Sequence, residues 1–206
     1  MSDNTNRDTW RENIILVDAD YVDKVAFDLT VNFERMIGRR IPKADMARWL
    51  ECAALDGGLR PVADSAPSAS VGRQEVQVVL LHRKGQMDNF EPGTFADIDG
   101  RAFQGALGEF LISCVQVEEM VTMDSLFIDS LQMLANAPEV KRLIVVPDTP
   151  YIYNKVREVM RRANPDLHST VLTMQPTEGG AFRQELLGYS LMAALGIKSE
   201  ELNQAR

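Results

Sequence analysis

Asn13-Ile14-Ile15-Leu16-Val17-Asp18-Ala19-Asp20 is the stretch on which the reading of the fold turns. Four apolar residues follow one another with no polar interruption, so a strand here is covered on both faces, as strands of parallel sheets are. The run stops at an acid. From about Val22 to Ile37, Val25, Leu29, Phe33, Met36 and Ile37 recur at helical spacing, and Gly38 is a suitable stop. A second helix is expected from about Pro42 to Leu55, with Pro42 in its first turn and Gly57-Gly58 behind it.

Outward from this unit, the pattern repeats. Strands are expected at Glu75–Leu81, Phe110–Val117, Arg142–Val146 and Thr170–Met174, and helices at Leu126–Ala137, Ile152–Ala163 and Phe182–Leu195. Residues 83–104 read as irregular, and 60–73, rich in Ala, Ser, Pro and Gly, as a mobile loop. Residues 1–12 read as a polar, frayed tail. Alternating strands and helices imply right-handed crossovers. The expectation is one α/β domain over 13–196: a three-layer α/β/α sandwich around a mostly parallel, about five-stranded sheet.

Composition narrows the class. The 206 residues are 45% hydrophobic and 25% charged, ordinary globular usage, with a net charge of −8. That charge opposes a general electrostatic grip on nucleic acid while leaving room for a local basic groove. Cys52 and Cys114 lie in apolar segments without a histidine near in sequence, which favours buried, reduced thiols over a bridge or metal site. The N-terminus lacks the apolar core of a signal peptide, and no apolar run approaches the roughly 20 residues that span a bilayer. A cytoplasmic protein with no membrane partner is expected.

In sheets of this kind ligands sit at the carboxyl ends of strands, near a switch in strand order. Two strands run into aspartate there, at Asp18 (with Asp20 close by) and at Asp148; Asp124 and Asp129 flank the start of the helix after the third strand. If the first and fourth strands are neighbours, Asp18 and Asp148 share one cleft. Their repulsion would be relieved by a hard cation, Mg²⁺ or Mn²⁺, able to polarise a phosphoryl oxygen. The competing reading is structural, since aspartate after a strand also caps helices, and acids suit a first helical turn.

The arrangement resembles the NYN branch of the PIN-like nuclease superfamily over roughly residues 13–174. Val17-Asp18-Ala19-Asp20-Tyr21 fits that family's opening strand, aspartate and second acid. Met123–Leu131, with Asp124 and Asp129, resembles its aspartate pair at the head of a helix. Val146-Pro147-Asp148-Thr149-Pro150-Tyr151 falls where its late strand runs into an aspartate motif. The resemblance implies a PIN-like fold, Asp18 and Asp148 as metal carboxylates helped by Asp124 or Asp129, Mg²⁺ or Mn²⁺ as cofactor, and cleavage of single-stranded or structured RNA. Tyr21 stands where the family has asparagine, Pro150 where it has a second aspartate, and Pro147 replaces a small turn; the aspartate pair is one residue closer than usual. These departures imply weakened or lost catalysis, and with it a binding or scaffold module that kept the fold.

Asp18-Ala19-Asp20-Tyr21-Val22 also resembles the opening of haloacid dehalogenase-like phosphatases, in which the first aspartate is a nucleophile and the second a general acid/base. Phe110–Ser113 fits that family's second motif, but Thr149–Ile152 offers no late acid. His82 and His168 read as hydrogen-bonded or surface histidines. Arg35, Arg39, Arg40 and Lys43, and then Lys155, Arg157, Arg161 and Arg162, cluster near helices where they suit the helix dipole or a phosphate backbone. Tyr151 and Tyr153 could stack on a base or pack in the core. Gly179-Gly180 lacks the Lys-Ser/Thr of a phosphate loop.

Overall fold

The computed structural model describes residues 9–61 and 74–204. The loop expected at 60–73 therefore lies outside the described residues, apart from Arg60 and Pro61. The chain forms β1 (Asn13–Asp18), α1 (Ala19–Ile37), β2 (Ala44–Asp45), α2 (Met46–Asp56) and β3 (Glu75–His82). It continues through β4 (Phe90–Glu91), α3 (Phe95–Ile98), β5 (Ala102–Gly105), β6 (Gly108–Gln116), α4 (Met123–Asn136) and β7 (Arg142–Val146). Then come α5 (Thr149–Arg161), β8 (His168–Thr173), β9 (Arg183–Leu186), α6 (Leu187–Ala194) and α7 (Ser199–Gln204).

The main sheet has seven strands in the order β5-β6-β3-β1-β7-β8-β9. Every pairing is parallel except β5 with β6. This corrects the expected five strands: β5 and β9 are four-residue edge strands, too short for alternation to show in sequence. The expected neighbours do pair, with Asn13 opposite Arg142 and Val17 opposite Val146.

Side chains alternate across the sheet, and the core follows. Ile15, Val17, Val78 and Leu80 pack with α1, α2 and α6, whereas Ile14, Leu16, Val79 and Leu81 pack with α4 and α5 in a second cluster. Trp49 and Phe127 are fully buried, one in each. The chain leaves β1 through α1 and α2 to reach β3, then crosses through α4 to β7 on the other side of β1. Strand order thus reverses between β1 and β7. Helices α1 and α5, which follow them, belong to different clusters, so their loops diverge and leave a crevice.

Other boundaries differ for physical reasons. Helix α1 starts at Ala19, not Val22, because Asp18 caps it: its carboxylate accepts the Tyr21 N–H at 3.0 Å. Helix α2 starts at Met46, not Pro42, because Ala44-Asp45 pairs with Phe90-Glu91 and Asp45 accepts the Arg48 N–H at 3.0 Å. The stretch 83–104 is not irregular but holds β4, α3 and the start of the β5–β6 hairpin. Phe182–Leu195 is not one helix: Arg183–Leu186 extends along β8 before α6 begins. The described end of the supposed tail is anchored, since Glu12 O accepts the Lys141 and Arg142 N–H groups and Arg11 pairs with Glu75 at 2.9 Å. Beyond residue 196, α7 is tied back by Arg39, whose guanidinium bonds both Glu201 oxygens at 2.6 and 2.9 Å. Among the described residues no helix is long and apolar enough to cross a membrane.

Candidate functional site

The crevice between β1 and β7 is a cleft of about 360 Å³. Asp18, Asp20, Asp124 and Asp148 line it together with Lys24 and Arg83. Each reaches it by simple local logic. Asp18 closes β1 and Asp20 lies in the first turn of α1, with Lys24 one turn further on the same face. Arg83 follows the end of β3, the parallel neighbour of β1, and its N–H donates to Asp20 Oδ2 at 3.1 Å. Asp124 sits in the first turn of α4, behind Thr122, whose hydroxyl caps the helix at Ser125 N. Asp148 precedes α5.

Electrostatically the cleft is strained toward losing negative charge. Asp18 is 4% exposed. Burial pushes its carboxyl up to about 7, Asp148 and Asp20 adding to the effect while the Tyr21 N–H and Arg83 oppose it. Burial likewise raises Asp148, with Asp124 adding and Lys24 opposing. Asp148 Oδ1 is buried with no hydrogen-bond partner. A buried acceptor left unmatched is uncommon and costly, and an ion or water is a common remedy.

Four of the five expected acids are thus brought together, and Asp129 is not. It lies on the exposed side of α4, away from the face that buries Phe127 and Leu131, and it does not line the cleft. Lys24 and Arg83 were missed by reading the sequence. Arg83 could have been found by applying the strand-end rule to β3 as well as to β1 and β7. Tyr21 and Pro150, two of the departures from the nuclease motifs, also line the cleft, as does Tyr151. His82 is buried, stacks on Phe95 at 3.8 Å between ring centroids, and bonds Lys84 O through Nδ1 at 2.7 Å, as a packed histidine should. Cys52 and Cys114 are free, as expected, and partly buried.

Do these residues fit a divalent cation? Among the described residues no group of three or more His, Cys, Asp or Glu is close enough to hold one unaided. Two carboxylates with one bare buried oxygen still suit Mg²⁺ or Mn²⁺, because Mg²⁺ is commonly held by one or two carboxylates plus water and substrate phosphate.

The family model described as "Family of unknown function (DUF6621)" matches residues 7–202, so the chain belongs to that family. No curated protein and no solved structure matches it.

Proposed function

We propose that this family member is a PIN-like, three-layer α/β/α domain of the NYN type that hydrolyses RNA phosphodiester bonds with Mg²⁺ or Mn²⁺. The segregation of α1, α2 and α6 from α4 and α5 into two core clusters supports the layering. The observation that carries the chemistry is the pairing of buried Asp18 with the unmatched Oδ1 of Asp148 at a switch point in strand order. Asp18 and Asp148 are the residues that would hold the cation. When bound, it supplies charge neutralisation and polarises a phosphoryl oxygen. Arg83 lines the same space and offers the phosphate a fork that suits two oxygens, while Lys24, also at the wall, is already paired with Asp28 at 2.8 Å. Asp124 and Asp20 keep the cleft negative enough to favour the cation over either base.

A second reading, a binding module without turnover, is favoured by Pro150 at the cleft wall and by there being, among the described residues, no third ligand close enough to complete a cation site. The phosphatase reading carries less, because Asp20 Oδ2 is already engaged by the Arg83 N–H. The test is cleavage of single-stranded RNA with Mn²⁺, repeated with Asp148→Asn and with chelator, beside calorimetry of Mn²⁺ and Mg²⁺. Metal-dependent cleavage that Asp148→Asn abolishes is expected, with Mn²⁺ bound more tightly than Mg²⁺. Cation binding without cleavage would establish the binding module instead. Cleavage indifferent to both chelator and Asp148→Asn would remove the metal site altogether.

A further inference from the structure

The acidic cleft does not end at Tyr151. A second hollow of about 470 Å³ shares Tyr21, Pro150 and Tyr151 with it and continues to Tyr153, Asn154 and Met174. A third, of about 440 Å³, shares Asn154 with the second and takes in Arg157, Arg161 and Gly180. Pro150 and Tyr151, Asn154, Arg157 and Arg161 succeed one another in steps of three and four, which is one face of a helix. The opposite face of α5, Ile152, Val156 and Met160, is buried. From Pro150 to Arg161 the track runs about 16 Å, at about 1.5 Å per residue.

The chemistry changes in order along it. The first hollow gathers carboxylates. The second is walled by tyrosine rings and a thioether, with the amides of Asn154 and Gln175 at hand. The third carries guanidinium groups; Glu158, which also lines it, is paired with Arg162 at 3.0 Å. Tyr151 is 78% exposed, a large ring held out at the junction of two hollows. Arg161 is exposed and makes no ion pair among the described residues, whereas Arg157 is partly buried and held by Glu178 at 3.1 Å. The far wall is set in advance: Tyr153 OH donates to Glu178 O and accepts from Gln184 Nε2 at 2.7 Å, and the same Nε2 bonds Thr177 O at 3.2 Å. A wall already ordered loses less entropy when something binds.

We propose that this face of α5 is a track for a single-stranded nucleic acid, with a base stacked on Tyr151 in the second hollow and a backbone phosphate on Arg161 and Arg157. The track rests on the phosphodiester reading, because it delivers the strand to the acidic cleft. Stacking and a line of cations are how single strands are held without sequence reading. A duplex keeps its bases turned inward and cannot use Tyr151.

The test is fluorescence anisotropy with a short fluorescein-labelled oligouridylate in chelator, so that binding is read without cleavage. The wild type should bind the single strand and not the same strand annealed to its complement. Tyr151→Ala should weaken binding on the order of tenfold. Arg161→Ala should lower the slope of log affinity against log salt by about 0.7, the loss of one phosphate contact. Arg48→Ala removes the same charge from an exposed position on α2, which packs in the other core cluster and lines none of the three hollows, and should change neither. No binding of the single strand, equal binding of the duplex, or equal losses in Arg161→Ala and Arg48→Ala would overturn the track. Binding with these signatures but no cleavage in Mn²⁺ would support the track and remove the hydrolytic reading. Cleavage with unchanged KM in Tyr151→Ala and Arg161→Ala would do the reverse.

Discussion

Replacing Asp18 with asparagine should stabilise the protein, and by an amount that depends on pH. Asparagine keeps the helix cap, because its side-chain oxygen can still accept the Tyr21 N–H, but it carries no charge. The native carboxyl titrates near 7 against an ordinary value of 3.8. Between those values the folded wild type holds a proton that the unfolded chain has released, so its stability falls as pH rises and levels off above 7. At about 1.4 kcal/mol per pH unit the full loss is about 4 kcal/mol. The gap between Asp18→Asn and wild type should therefore widen by about 3 kcal/mol from pH 5 to pH 8 in urea denaturation. Added Mn²⁺ at about a hundredfold excess over its Kd should stabilise wild type alone by about 2.7 kcal/mol and narrow that gap. A gap that stays constant with pH, or a variant less stable at pH 8, would refute the account of a buried, destabilised carboxylate. A gap that opens with pH but ignores Mn²⁺ would keep the burial argument and remove the cation.

Two other expectations rest on packing. A Cβ at Gly57 would lie 2.2 Å from Ile144 Cδ1, so Gly57→Ala should lose about 1–3 kcal/mol in the same denaturation assay; a neutral result would mean the α2–β7 contact is looser than described. Burial, with Asp99 adding, pushes the Cys114 thiol up to about 12, and burial raises Cys52 too. Ellman's reagent at pH 8 should react far more slowly with native than with urea-unfolded protein, since the thiolate is the nucleophile. Comparable rates would contradict that.

Legibility in the sequence followed burial. Strands β1 and β7 sit at the centre of the sheet, covered on both faces, and their unbroken Ile/Leu/Val runs could mean little else. Their aspartates and the switch point between them followed by rule. Edge strands β5 and β9 have one free side and four residues each, too little for any pattern, and β9 runs straight into α6, so its one apolar residue, Leu186, was read with the helix. Asp129 was misplaced because two acids five residues apart, which a helix turns to different sides, were judged by proximity in sequence; the buried stripe of Phe127 and Leu131 already pointed it outward. No local pattern marks Lys24, and Arg83 shows only by its place after a strand. Only the convergence of β1, β3 and α1 makes them partners of the acids. The hollows along α5 depend on the 174–182 segment folding over Tyr153, and no local pattern announces that.

The strand order also bears on how the chain emerges from the ribosome. One edge of β1 can be covered once β3 has been made, but the other waits for β7, whose pairing begins at Asn13 opposite Arg142. Until then Ile14–Val17 is an apolar strand with a row of unpaired backbone groups, a template for pairing with a neighbouring chain. Long-range parallel pairing is slow, so the exposure is prolonged. Asp18 is still solvated at that stage and fully charged, because its proton affinity rises only on burial. The same side chain that weakens the finished fold thus acts as a charged gatekeeper at the end of the vulnerable strand during synthesis.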